Sequence, residues 1–279
     1  MAIYGFKNPC PARILLIMRP FDKKEVLSWC LYDFANSTYS AVIVAVVFPV
    51  YYTSFIVGND TGLGDLWWGR AISLSMLFVA LTSPVLGGIA DFAGLRKRFL
   101  LAFTALCVAS VALLGLLDKG MIIEGFVLIV LANIGMEGAM VFYNSYLPEI
   151  TSRQYQGRVS SWGFGIGYAG SMLSLIIALP LVKGGQFALT WLTVSSMFAL
   201  FSIPAFRFLP PDRSKNLLAD SASSISKGMR HTLDTLKKLW GDSEAKKFLI
   251  GYLLYADGVN TVIVFSSVFA ATTLGFATG

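Results

Sequence analysis

Seven apolar runs constrain this chain more than any other feature: about Tyr32–Val57, Leu66–Ala90, Phe99–Leu117, Met121–Tyr146, Ser161–Val182, Phe187–Phe208 and Phe248–Leu274. Each is close to the ~20 residues that a helix needs to cross a hydrocarbon core of ~30 Å. No water is present there to satisfy backbone N–H and C=O groups. Runs of this length therefore close their hydrogen bonds internally, as helices. Composition agrees: 56% of the 279 residues are apolar and only 14% charged, with a mean hydropathy of +0.67. A soluble domain carries about 25% charged residues. The chain reads as an all-α, polytopic membrane protein. Its N-terminal segment does not read as a secretory signal, because the apolar core Ile14–Met18 is short and no small-residue cleavage site follows.

Basic residues fall unevenly on the two sides. Alternating the gaps between runs puts 19 of the 22 lysines and arginines on the side of the N-terminus and 3 (Arg70, Lys119, Lys183) on the other. This is the positive-inside pattern, so the N-terminus is expected in the cytoplasm. The net charge of +6 is thus a topology signal. No interleaving of basic and aromatic residues suited to stacking bases accompanies it, so no nucleic-acid partner is expected. Cys10, Cys30 and Cys107 show no metal or redox spacing, and the single His231 makes no ligand set. No metal or cofactor is expected.

Four regions follow. Residues 1–28 read as a cytoplasmic N-terminal segment, and 29–208 as a bundle of six short-looped spans. Residues 209–247 read as a cytoplasmic linker that opens on Pro210–Pro211. It closes on an amphipathic pattern, Met229, Leu233, Leu236, Leu239 and Trp240, expected to lie as a helix along the membrane face. Residues 248–279 hold span seven, the start of an incomplete second bundle. An ungapped offset of 224 aligns Asp33 with Asp257, Asn36 with Asn260, and Ser37 with Thr261. That repeat makes spans one and seven equivalent. Parallel repeats about an axis along the membrane normal characterise one transporter class.

The acids inside the spans are the candidate chemistry. A carboxylate in hydrocarbon costs roughly 2.5–3.5 kcal/mol on insertion scales, so its presence asks for a function. Asp33, Asn36, Ser37 and Ser40 stand at i, i+3, i+4 and i+7, one polar stripe on a helix. In span four Asn133, Glu137 and Asn144 lie within about 40° of one another. No cation inside these spans neutralises Asp33, Glu137 or Asp257. Hydrocarbon then favours their proton-carrying form, the condition for a proton relay. The alternative role is interhelical hydrogen bonding without transport.

Two other motifs carry no chemistry here, and no enzyme is expected. "GFGIGYAG" (Gly163 to Gly170) mimics a dinucleotide loop, but it lies inside span five, where Gly163 and Gly167 suit close helix packing. Asp33 with Asp65 of "GLGD" resembles the pair of an intramembrane aspartyl protease. Such a pair must share a proton at close range. Asp65 lies in a polar turn on the other side of the membrane, more than ~10 Å away by helix rise.

The gap after span two carries Gly87, Asp91, Gly94, Arg96, Lys97 and Arg98. This spacing resembles the loop signature of the major facilitator superfamily, with Leu95 in place of a usual basic residue. "LYDFANS" (31–37), "VFYNSYLPEI" (141–150), "RVSSWGFGIGYAGS" (158–171) and "FLIGYLLYADGVNTVI" (248–263) resemble its vacuolar-effluxer branch, the fungal autophagy-related amino-acid permeases and their bacterial relatives. The resemblance implies a major-facilitator six-helix bundle followed by the first helix of a second bundle, completed by a missing second half. It also implies a multi-pass protein of a bacterial cytoplasmic (inner) membrane. The expected function is secondary active transport of a small polar solute, amino acids by analogy, by alternating access with protons as coupling ion. Asp33, Asn36, Ser37, Glu137, Asn144, Asp257 and Asn260 would bind solute or protons, with Asp33 and Asp257 facing each other. The alternative function is a truncated, non-transporting bundle that acts only as an assembly partner.

The topology yields a direct test. In a chain with its native cysteines replaced, Asn59→Cys and Lys183→Cys should react with an impermeant maleimide added to intact cells. Lys97→Cys and Ser223→Cys should react only after permeabilisation. The reverse pattern would overturn the orientation.

Overall fold

A computed structural model describes residues 21–212, 234 and 237–274, without the side chains of 91–93 and 272. Among these residues seven helices are long and apolar enough to cross a membrane. They are α1 (Lys23–Val57), α2 (Leu63–Ala93), α3 (Arg96–Leu113, prolonged by a 3₁₀ turn to Leu116), α4 (Ile122–Ile150), α5 (Gln156–Lys183), α6 (Phe187–Phe208) and α7 (Ser243–Thr272). No strand occurs among the described residues; Phe21 and Thr151 form an isolated bridge. The starts of α1, α3, α5 and α7 define one end of the bundle, called here the N-terminal end.

Local chemistry sets the helix ends. Asp22 caps α1 by accepting from Lys24 N at 2.8 Å, so the helix starts at Lys23, ahead of the apolar run. Residues 23–28 therefore continue into the bundle as helix. At the end of α2, Gly94 adopts φ 67° and its N–H returns to Ala90 O. A left-handed terminal residue favours glycine. Of the amphipathic pattern near the linker's end, Met229, Leu233 and Leu236 lie outside the described residues, as do Cys10 and His231. Leu239 and Trp240 are helical and exposed.

Helix α1 is irregular in its second half. Pro49 has no N–H to donate and its ring collides with the carbonyl four residues earlier. The turns on both sides widen into π-helix, Ser40–Val46 and Tyr51–Val57, and Val47 N bonds to Val42 O five residues back.

The core is built around α1. Trp29 stacks on Tyr143 of α4 with centroids 4.6 Å apart. The pair exchanges hydrogen bonds: Trp29 Nε1 donates to Tyr143 O (3.3 Å), and Tyr143 Oη donates to Trp29 O (3.2 Å). Tyr32 and Thr104 of α3 share a 2.7 Å bond between hydroxyls. Toward the other end Phe48, Tyr52, Trp68 and Trp191 are fully buried, and Tyr52 Oη donates to Ile122 O at 3.0 Å. Within lipid, shape and hydrogen bonding rather than water exclusion hold helices together.

Small residues let the backbones approach. A Cβ at Gly163 would sit 2.5 Å from the Trp29 ring, one at Gly167 2.7 Å from Ser37 Oγ, and one at Gly170 2.5 Å from Phe34 O. The glycine spacing read from the sequence is therefore the α1–α5 contact. Gly135 likewise brings α4 onto Cys107 N of α3. Helix α7 attaches by its C-terminal half, where Val264 and Val268 are buried and Trp68 Nε1 donates to Val264 O at 3.2 Å.

Overpacking at such a contact costs about 1–3 kcal/mol. Gly170→Ala, which meets an immovable backbone carbonyl, should lower the thermal unfolding midpoint of the purified chain in detergent. Gly165→Ala, with open space around it, should leave the midpoint unchanged.

Candidate functional site

Asp33 lies in the N-terminal half of α1, half-buried against α5. Its Oδ2 would come within 3.2 Å and 3.3 Å of Cβ atoms placed on Gly163 and Gly167. The niche for the carboxyl exists because both positions lack side chains. Asn36, 4% exposed, donates to Met140 Sδ of α4 at 2.8 Å and reaches Asp33 Oδ1 only at 3.5 Å, the outer limit of a hydrogen bond. Ser37 borders the same niche, and its carbonyl accepts from Ser171 of α5 at 3.2 Å. No cation pairs with Asp33 among the described residues. The arrangement leaves the carboxyl with one weak amide partner and room to accept another group.

The α4 stripe divides. Asn133 is buried and donates to Ser75 of α2 at 2.7 Å, so it joins two helices. Glu137 is half-buried and makes no hydrogen bond or ion pair to a described residue, and Asn144 is exposed. Tyr39, wholly buried on α1, also keeps a hydroxyl without a partner among the described residues. On α7, Asp257 and Asn260, near the middle of the helix, are both exposed. The structure thus brings Asp33, Asn36 and Ser37 together, but no hydrogen bond or ion pair joins Asp33 to Asp257.

The loop motif forms a clamp at the N-terminal end. Gly87 lies within α2, Gly94 ends that helix, and the side chain of Asp91 lies outside the described residues. Arg96 pairs with Glu149 at the end of α4 (3.2 Å). Lys97 N donates to Asp212 Oδ1 (2.7 Å), and Lys97 Nζ donates to Leu209 O (2.7 Å). Arg98 Nε lies 3.7 Å from Asp212 Oδ2. Asp212 thus holds a carboxylate over the first turn of α3, where unpaired N–H groups and the helix dipole favour an anion. Sequence reasoning missed Glu149 and Asp212. The signal available for Asp212 was Pro210–Pro211, which stiffens the two residues preceding it.

A family model described as "Vacuole effluxer Atg22 like" matches residues 70–279. The "Uncharacterized MFS-type transporter YxiO" of Bacillus subtilis is 30% identical, over 90% of this chain and 61% of its own length. An uncharacterized protein of Aquifex aeolicus is 28% identical, over 88% and 58%. "Autophagy-related protein 22" of Pyricularia oryzae is 23% identical, over 92% and 53%. The chain therefore spans 53–61% of the length of these relatives. No solved structure matches it significantly.

The clamp generates a graded expectation. Removing a capping carboxylate costs about 1 kcal/mol, so Asp212→Ala should lower the thermal midpoint of the purified chain. Asp212→Asn keeps an acceptor for Lys97 N and should recover most of that loss. Equal losses would assign the effect to charge alone.

Proposed function

The chain belongs to the Atg22-like vacuole effluxer family, and on that premise we propose that it is part of a secondary active transporter for a small polar solute. The N-terminal end of the bundle is cytoplasmic in this reading, the membrane is the inner membrane of a bacterium, and protons are the coupling ion. Amino acids are the solute class that the sequence resemblance favours. The observation that carries the reading is Asp33, a membrane-embedded acid in a glycine-lined niche, with a weak amide neighbour and no cation partner among the described residues.

Asp33 takes up and releases the proton, with Asn36 and Ser37 beside it. Glu137 and Asn144 contribute from α4, and Asp257 and Asn260 contribute as the equivalent pair on α7. Attachment of α7 at its C-terminal half alone supports alternating access. A bundle that pivots near Trp68 and Val264 moves more with distance from that point, and Asp257 lies uncovered two turns before Val264. The clamp of Arg96, Lys97 and Arg98 on Glu149 and Asp212 braces the cytoplasmic ends of α3, α4 and α6 during that motion.

A second reading, a bundle that only assembles with other proteins, draws on the exposure of Tyr252, Leu254 and Tyr255 along α7. One experiment separates the two. In a full-length version carrying these residues, reconstituted in vesicles and screened across amino acids with and without a pH gradient, Asp33→Asn or Asp257→Asn should abolish gradient-driven accumulation. Each keeps side-chain volume but cannot carry the proton, so solute exchange and the thermal midpoint should persist. Undiminished accumulation in both variants would overturn the relay. No flux of any tested solute would favour the assembly reading.

A further inference from the structure

Away from the acids, a cavity of about 420 Å³ opens between α1, α5 and the start of α6. Its size is within the roughly 300–1,000 Å³ typical of small-molecule sites. Val46, Val50, Phe55, Leu179 and Phe187 give it apolar walls. Lys183, the last residue of α5, is the one charged side chain in its lining, and no acid lines it.

Two further observations indicate what occupies it. Lys183 is one of 3 basic residues on the sparsely charged side of the sequence. Of the others, Arg70 lies over the Trp67 ring at 5.8 Å, and Lys119 adjoins Asp118. Lys183 makes no ion pair with a described residue. Ser54, also in the lining, is equally free. Hydroxyls in these spans commonly return to a carbonyl of the preceding turn, as Thr53 does to Val50 O at 3.4 Å. Ser54 sits in the π segment Tyr51–Val57 and makes no hydrogen bond to a described residue. A cation and a hydroxyl donor, neither with a partner among the described residues, therefore border a hollow whose other walls are apolar except for Tyr51, whose hydroxyl donates to Leu117 O.

We infer that this cavity binds a medium-chain carboxylate amphiphile, its head on Lys183 and Ser54 and its tail among Val46, Val50 and Phe187. The polar requirement is for one anion, so a free zwitterionic amino acid, whose ammonium finds no acid there, is a poor fit. The site is separate from the niche of Asp33 and does not depend on the transport reading.

The test uses decanoate bearing a diazirine, with the purified chain in phosphatidylcholine nanodiscs. Photolabel should fall on segments 46–55 and 179–187 and be displaced by decanoate but not by decanol. Competitor strength should rise about fourfold per added methylene until the cavity is filled. Lys183→Gln should cut labelling about fivefold, the scale of an exposed ion pair, and Lys183→Arg should preserve it. Lys183 is exposed, and the thermal midpoint of each variant verifies folding. Equal displacement by decanol, or full labelling of Lys183→Gln, would mean that the hollow takes any lipid tail and would overturn the proposal. Displacement by added phosphatidylglycerol would overturn it in favour of an anionic phospholipid.

Discussion

The fold depends on how closely α5 can lie against α1. The first half of helix α1 carries two large buried residues, Trp29 and Tyr32, and meets several of its neighbours through them. Such residues ordinarily hold helices apart. Gly163, Gly167 and Gly170 remove the opposing side chains, so the indole of Trp29 and the carbonyl of Phe34 rest against the α5 backbone itself. With that contact made, Tyr143 stacks on Trp29 and fixes α4, and Tyr32 reaches Thr104 and fixes α3. The same closeness encloses the Asp33 carboxyl. Structural contact and candidate chemistry therefore share residues, so a change at the glycines acts on both.

Much of this was legible in the sequence because hydrocarbon enforces simple rules. Span six shows it best: the apolar run Phe187–Phe208 and the helix have the same ends. Polar Gly184–Gln186 precedes it, and two prolines follow Leu209. The start of α1 was less legible. Lys23, Lys24 and Glu25 look like a cytoplasmic tail by composition, yet the Asp22 cap draws them into the helix. The glycine contact could be read because small residues four apart share one helix face. Glu149 could not, and for Asp212 the pair Pro210–Pro211 marks a stiff approach but not the helix end that it meets.

The candidate acids divide along the same line. Asp33, Asn36 and Ser37 come from one helical stripe, and helical period alone predicts that they meet. Asp257 depends on how α7 stands against α1, a relation between elements far apart in the chain. Asn133, read with Glu137 as one stripe, instead finds Ser75 on α2. A polar position on a helix specifies a direction; only the neighbouring helix decides whether the group is a fastener or a free ligand.

Pro49 has a mechanical consequence. In the π segments beside it, hydrogen bonds span five residues instead of four, and the proline contributes none. Bending stiffness in a helix comes from that ladder, so α1 is most compliant over its second half. Its first half is bolted to α5, α4 and α3. Bending of α1 therefore concentrates around residues 40–57, the stretch that also holds the buried rings of Phe48 and Tyr52. Helix α1 behaves as a stiff lever joined to a flexure, with α7 fastened at the flexure rather than on the lever.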